Sequence, residues 1–123
     1  MGDVSLMQSE ELLKLAQTAL EDMKARDLRV LDVRSLTAVT DYLLVASGTS
    51  DRHVRSLSEG VVEAAKQAGQ VLLGVEGRDS GEWVLIDLAD VVVHVMQPRV
   101  REFYKLEDLW AVGADSAAKP TGK

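Results

Sequence analysis

Two apolar runs, Trp83 to Leu88 and Val91 to Met96, are separated by Ala89 and Asp90 alone, and that spacing constrains the chain more than any other feature. Both runs are rich in residues that favour strands, and so short a connection can only fold back as an antiparallel hairpin. With Leu88 and Ala89 as the turn, Asp87 opposes Asp90, Leu85 opposes Val92 and Trp83 opposes His94. Side chains alternate along a strand, so Trp83, Leu85, Val92 and His94 then share one sheet face while Val84, Ile86, Val91, Val93 and Val95 share the other. The aliphatic set is the expected core. The set that displays an indole and an imidazole is the expected binding surface, the alternative being that Trp83 packs under the last helix. His94 interrupts an apolar strand and therefore has to be hydrogen-bonded, exposed or at an interface.

The remaining segments supply the layers such a sheet requires. Ser9 can cap a helix whose first turn carries Glu10 and Glu11, with Leu12, Ala16, Ala19, Leu20 and Met23 at helical spacing. Val30, Leu31 and Val33 predict a first strand, and Tyr42 to Ala46 a second. A turn at Ser47-Gly48-Thr49-Ser50-Asp51 opens a second helix, in which Val54, Leu57, Val61, Ala64 or Ala65, and Ala68 mark one face until Gly69 ends it. Val71 to Val75 predicts a third strand ahead of the loop from Glu76 to Gly81, and Pro98 opens a last short helix. The order helix, two strands, helix, three strands defines an α/β (α+β) fold, a mixed five-stranded sheet with packed helices.

At 123 residues and 46% hydrophobic content the chain makes one domain. The domain is expected over residues 9–112, after a flexible N-terminus (1–8) and before a small, polar, disordered tail (113–123). No apolar run approaches the ~18 residues of a membrane helix and the start lacks the pattern of a secretory signal, which predicts a cytoplasmic protein. With no cysteine and two separated histidines, neither a structural metal nor a cofactor is expected. A net charge of -6 has the wrong sign for holding nucleic acid through its phosphates and suits a basic protein partner better.

Three stretches invite a chemical reading. Gly48-Thr49-Ser50 lies between a strand and a helix, as anion sites do, yet it lacks both the dinucleotide and the phosphate-loop fingerprints, so it reads as a cap and tight turn. A nucleotide-dependent transferase is the enzymatic alternative; it needs two or three carboxylates on adjacent strand ends, and Asp32, Asp41, Asp87 and Asp90 form no such set by spacing. His53 and His94 have no nucleophile to activate, and His53 is expected at the surface of its helix. The segment Arg99 to Trp110 holds three of the chain's five aromatic residues. Within it Phe103 and Leu106 are expected in the core, Arg99 and Arg101 in solvent, and Tyr104, Lys105 and Trp110 either in the covering layer or against a partner.

Four motifs in fixed order carry a resemblance: Thr40 to Ser50, Trp83 to Asp87, Asp90 to Met96 and Phe103 to Trp110. Together they resemble the Iojap family of ribosomal silencing factors over Leu12 to Trp110, with Ala89 standing where that family's turn is expected to have glycine. The resemblance implies a nucleotidyltransferase-like fold without catalytic carboxylates and hence no enzymatic activity. It also implies a translation repressor that binds the large ribosomal subunit through ribosomal protein L-fourteen, blocks joining of the small subunit and so lowers translation under nutrient limitation. Contact with rRNA is then peripheral at most. Partner contacts are expected from Trp83, Leu85, Val92, His94, Tyr104, Lys105 and Trp110. Asp41, Tyr42, Ser47, Gly48, Ser50, Asp87 and Asp90 match the motif and fit a framework role as well as a functional one. An apolar sheet face without its partner also suits a homodimer.

Overall fold

Alternating apolar residues build a sheet, and two amphipathic helices close one side of it. The computed structural model describes residues 8–105. Its elements are α1 (Ser9–Asp22), β1 (Arg26–Asp32), β2 (Tyr42–Ser47), α2 (Asp51–Gln67), β3 (Gly74–Glu76), β4 (Trp83–Asp87), β5 (Val91–Met96) and α3 (Pro98–Tyr104). The strands lie in the order β1-β2-β5-β4-β3, with β2 and β5 parallel at the centre and the other pairs antiparallel. This is the mixed five-stranded α+β sheet that the pattern predicts.

Helix α1 begins one residue earlier than a Ser9 cap implies. Gln8 is the cap: its side chain accepts from the Glu11 backbone N–H, and the Glu11 carboxylate accepts from the Gln8 N–H at 3.0 Å. This reciprocal box satisfies two otherwise orphaned donors, so Ser9 becomes the first helical residue. Helix α2 starts as its sequence suggests, with Ser50 Oγ accepting the His53 N–H at 3.1 Å and Asp51 and Lys66 complementing the helix dipole. Leu12, Ala16 and Leu20 of α1 and Val54, Leu57, Val61 and Ala65 of α2 pack on Leu44, Val84, Ile86, Val91, Val93 and Val95 of the sheet, all without exposure.

The hairpin register differs from the predicted one. Trp83 pairs with Met96, Leu85 with His94 and Asp87 with Val92, and the Leu88 N–H donates to the Val91 carbonyl at 2.9 Å. The loop is therefore Ala89-Asp90, one residue later than Leu88-Ala89. Ala89 takes φ 74°, the left-handed conformation that a primed two-residue turn requires and that glycine adopts most cheaply. Moving the loop by one residue shifts the pairing by two, an even number, so the predicted division into two faces survives.

Strand β3 is shorter and later than Val71 to Val75. Val75 opposite Ile86 sets its register, and Leu73 reaches β4 through its N–H to the Asp87 carbonyl at 2.8 Å. Beyond that point β4 has ended, which leaves Val71 46% and Leu73 61% exposed.

Candidate functional site: the second face of the sheet

On the face away from α1 and α2, the registers align side chains into rows. One row runs Glu76, Leu85, His94, Val45, Arg29; the next runs Gly74, Asp87, Val92, Leu43, Leu31. A third places Trp83 beside Met96 and Ser47. Over part of this face lies α3, whose Val100 joins Leu31, Val33, Leu43, Val45 and Met96 in a second, smaller apolar cluster. Toward β4 the cover thins: Trp83, Leu85 and Val92 are half-buried.

The ring of His94 lies beneath that half-covered zone, 6% exposed, so it is not displayed as the sequence reading expects. The Trp83 indole N–H donates to His94 Nδ1 at 3.0 Å. An indole nitrogen only donates, so Nδ1 carries no proton and the neutral ring holds its proton on Nε2. Burial lowers the His94 pKa from 6.5 to about 4, which keeps the ring neutral. From this anchor the aromatic contacts lead outward. Trp83 lies 5.9 Å from the His94 ring and 4.9 Å from Tyr104, and Tyr104 meets Phe103 edge-on at 4.9 Å. A groove along this series is lined by Glu82, Trp83, Arg99, Val100, Phe103 and Tyr104.

Helix α3 reverses two expectations. Phe103 is 76% exposed rather than core, because the seven-residue helix turns Val100 and Arg101 inward and the next residues outward. Arg101 is buried rather than solvated: its Nη1 donates to Ser47 Oγ at 2.9 Å, tying α3 to the end of β2. Lys105 is exposed, caps α3 with φ 49° and pairs with Glu102 at 2.9 Å. Trp110, Leu106 and residues 113–123 lie outside the described residues, as do residues 1–7. Of the expected partner contacts, Trp83, Leu85, Val92, Tyr104 and Lys105 reach the surface and His94 supports them from below. Arg101 was invisible to spacing arguments, since nothing in a charged residue near a helix start announces a buried hydroxyl partner on a distant strand.

The motif residues build frame contacts. A Cβ on Gly48 would stand 2.8 Å from Val54 Cγ2 and 2.9 Å from the Val54 nitrogen, so glycine lets β2 turn closely into α2. The Asp41 and Tyr42 N–H groups both donate to the Asp90 carbonyl, at 2.9 and 3.1 Å. Asp87 Oδ1 accepts the Ala89 N–H at 2.9 Å and so holds the hairpin turn. Tyr42 is buried, with the Arg34 guanidinium 5.2 Å from its ring centre. His53 lies partly exposed in the first turn of α2, as expected, and is tethered there: its Nδ1 accepts the Thr49 N–H at 2.9 Å and its Nε2 lies 2.9 Å from the Met23 carbonyl, joining the start of α2 to the end of α1.

The four carboxylates weighed for metal chemistry serve elsewhere. Asp32 pairs with Arg34 at 2.7 Å, and that guanidinium holds its carboxyl below the usual range. Asp87 holds the turn, while Asp41 and Asp90 meet through backbone atoms. Among the described residues no group of three or more His, Asp or Glu is placed to hold a metal ion.

Fold and site define the class: an α+β domain that seals one face of a mixed sheet under two helices and leaves the other face half covered. Comparison with known proteins names the family. The family model described as "Ribosomal silencing factor during starvation" matches residues 6–122. A Chromobacterium violaceum protein named ribosomal silencing factor RsfS is 47% identical over 121 residues, covering 93% of this chain and 97% of its own. The Bacillus subtilis protein of the same name is 38% identical over 104 residues, covering 85% of this chain and 88% of its own. A crystal structure of a Chromobacterium violaceum protein superposes with a TM-score of 0.84 at 45% identity, over 94% of this chain and 92% of that one. This chain belongs to the ribosomal silencing factor family.

Proposed function

We propose that this protein is a non-enzymatic repressor of translation that binds the large ribosomal subunit and excludes the small one. The relatives' name supplies the ribosome and the silencing; the half-covered face of Trp83, Leu85 and Val92 supplies a surface suited to a partner. That face carries the reading, because a side chain of Trp83's size, oriented by His94 and Tyr104 before any partner arrives, loses little freedom on binding. Ribosomal protein L-fourteen is the proposed contact, and cytoplasm the proposed location. Among the described residues no helix is long and apolar enough to cross a membrane.

The physics is competitive occlusion. Subunit joining weakens by one plus the free concentration of the factor divided by its dissociation constant, so at ~100 times that constant joining is disfavoured by about 2.7 kcal/mol. Abundance relative to ribosomes becomes the regulatory variable, and nutrient limitation the proposed condition. In the absence of ribosomes the same apolar face would pair two copies of the chain, and subunit binding would then compete with the dimer.

To test this, the purified protein is mixed with separated large and small subunits and followed through a density gradient. Migration with the large subunit, together with fewer joined ribosomes, is the expected result. Migration with neither subunit would sink the proposal and turn attention to nucleoside triphosphates with Mg²⁺.

A further inference from the structure

We infer that the β3 edge of the half-covered face is an acidic rim that selects a basic protein surface, with Glu76 and Asp87 as specificity-determining residues; the inference rests on the ribosome-binding reading above. The registers put Glu76 directly beside Leu85 and put Asp87 between Gly74 and Val92. Both carboxylates thus border the half-buried apolar residues on the same face.

Several carboxylates elsewhere in the fold pair with a neighbouring cation. Asp32 pairs with Arg34 at 2.7 Å, Asp51 with Arg55 at 3.4 Å, Glu59 with Arg78 at 3.1 Å and Glu102 with Lys105 at 2.9 Å. Glu76 and Asp87 have no ion pair among the described residues, and Arg99, which lines the neighbouring Trp83 groove, lies beyond pairing distance of both. Asp87 accepts the Ala89 N–H through Oδ1 and is half-buried at the border of the face.

Any partner that covers Leu85 and Val92 also takes water from these two carboxylates. Desolvating an unpaired carboxylate is costly, so a purely apolar partner or one presenting phosphates is rejected. Lysine or arginine set around an apolar centre replaces the lost hydration and is accepted. The far end of the Glu76 row is Arg29, beyond buried His94 and Val45, so Arg29 lies away from the zone of Leu85 and Val92 that a partner covers.

The test titrates the full chain against isolated large subunits at several salt concentrations. Variants are Glu76→Gln, Glu76→Lys and Asp87→Asn, the last retaining an oxygen for the Ala89 N–H; thermal melts confirm that each folds. Glu76→Gln and Asp87→Asn are each expected to weaken binding about three- to fivefold, and Glu76→Lys to weaken it more and flatten its salt dependence. Arg29→Glu separates local complementarity from overall charge and is expected to change affinity less than about twofold. Unchanged or tighter binding by Glu76→Gln overturns the inference, the tighter outcome meaning that phosphates face Glu76. Arg29→Glu tightening binding as much as Glu76→Lys weakens it also overturns it, since net charge would then be the cause. Should the unaltered protein fail to bind the large subunit, the functional reading falls, and the acidic rim with it.

Discussion

Leu85 and Ile86 are consecutive residues of β4 with opposite duties. Ile86 points into the layer under α1 and α2 and has no exposure, whereas Leu85 points to the second face and is half-buried. The sealed face has aliphatic side chains on both sides of its interface. The other has a short helix, one buried guanidinium, one buried imidazole and a zone left for something else to cover. The contrast teaches that one strand can provide stability on one side and recognition on the other, because its period of two keeps the two sets of residues independent.

The largest expected effect breaks the sealed face. Ile86→Ala should destabilise the fold by about 2–5 kcal/mol, and Leu85→Ala by less than about 1.5 kcal/mol while costing more in ribosome binding. Urea denaturation of both variants beside the density-gradient assay reads the comparison. Equal losses of stability would mean that the second face is core as well.

Nearly as large is an effect of pH confined to the second face. Burial holds the folded His94 at about 4 against 6.5 when exposed, so between those values the unfolded chain binds a proton that the folded chain refuses. The stability contributed by the neutral ring is whole above pH 6.5 and is lost as pH falls toward 4, about 3 kcal/mol in all. Denaturation curves from pH 7 to 4 should show this loss and His94→Gln should show little of it. Protonation also removes the acceptor at Nδ1, so the Trp83 environment should change over the same range, visible in its fluorescence.

Ser47→Ala probes what fastens α3. It leaves the buried Arg101 guanidinium without its hydroxyl partner and should cost about 1–2 kcal/mol. Loosening α3 also shifts Tyr104 from Trp83, so ribosome binding should weaken together with stability. Retained binding at reduced stability would show that α3 is a prop for the fold alone.

Which face each residue occupies was legible in the sequence, because the alternation of Trp83 to Met96 admits one division whatever the exact register. The register itself was not, since it turns on which residue takes a left-handed φ, and Ala89 offers no glycine to mark it. That strain gives its own test: Ala89→Gly should stabilise the hairpin by about 1 kcal/mol without altering which residues share a face, and thermal melts would show it. The buried Arg101 and the exposed Phe103 were illegible for a different reason. The phase of a seven-residue helix is set by tertiary contact with Ser47 and Met96, and so short a segment has too few turns to display an apolar stripe of its own. In the site, Trp83, Leu85 and Val92 followed from periodicity alone. The pairing of Trp83 with His94 and the acidic border at Glu76 required the strand registers.

The smallest expected effect lies on the sealed side and sharpens the comparison from the opposite direction. Gly60 sits within α2, and a Cβ there would meet Met23 Cγ at 3.5 Å and the Ala19 carbonyl at 3.9 Å, both ordinary contacts. Gly60→Ala should therefore raise stability by about 0.5–1 kcal/mol, because alanine restricts the unfolded chain and suits the helix interior. Residue 60 lies across the sheet from Trp83, so ribosome binding should stay as it was. A variant that gains stability and loses binding would place a partner on the helical layer as well, and the division of labour between the two faces would have to be redrawn.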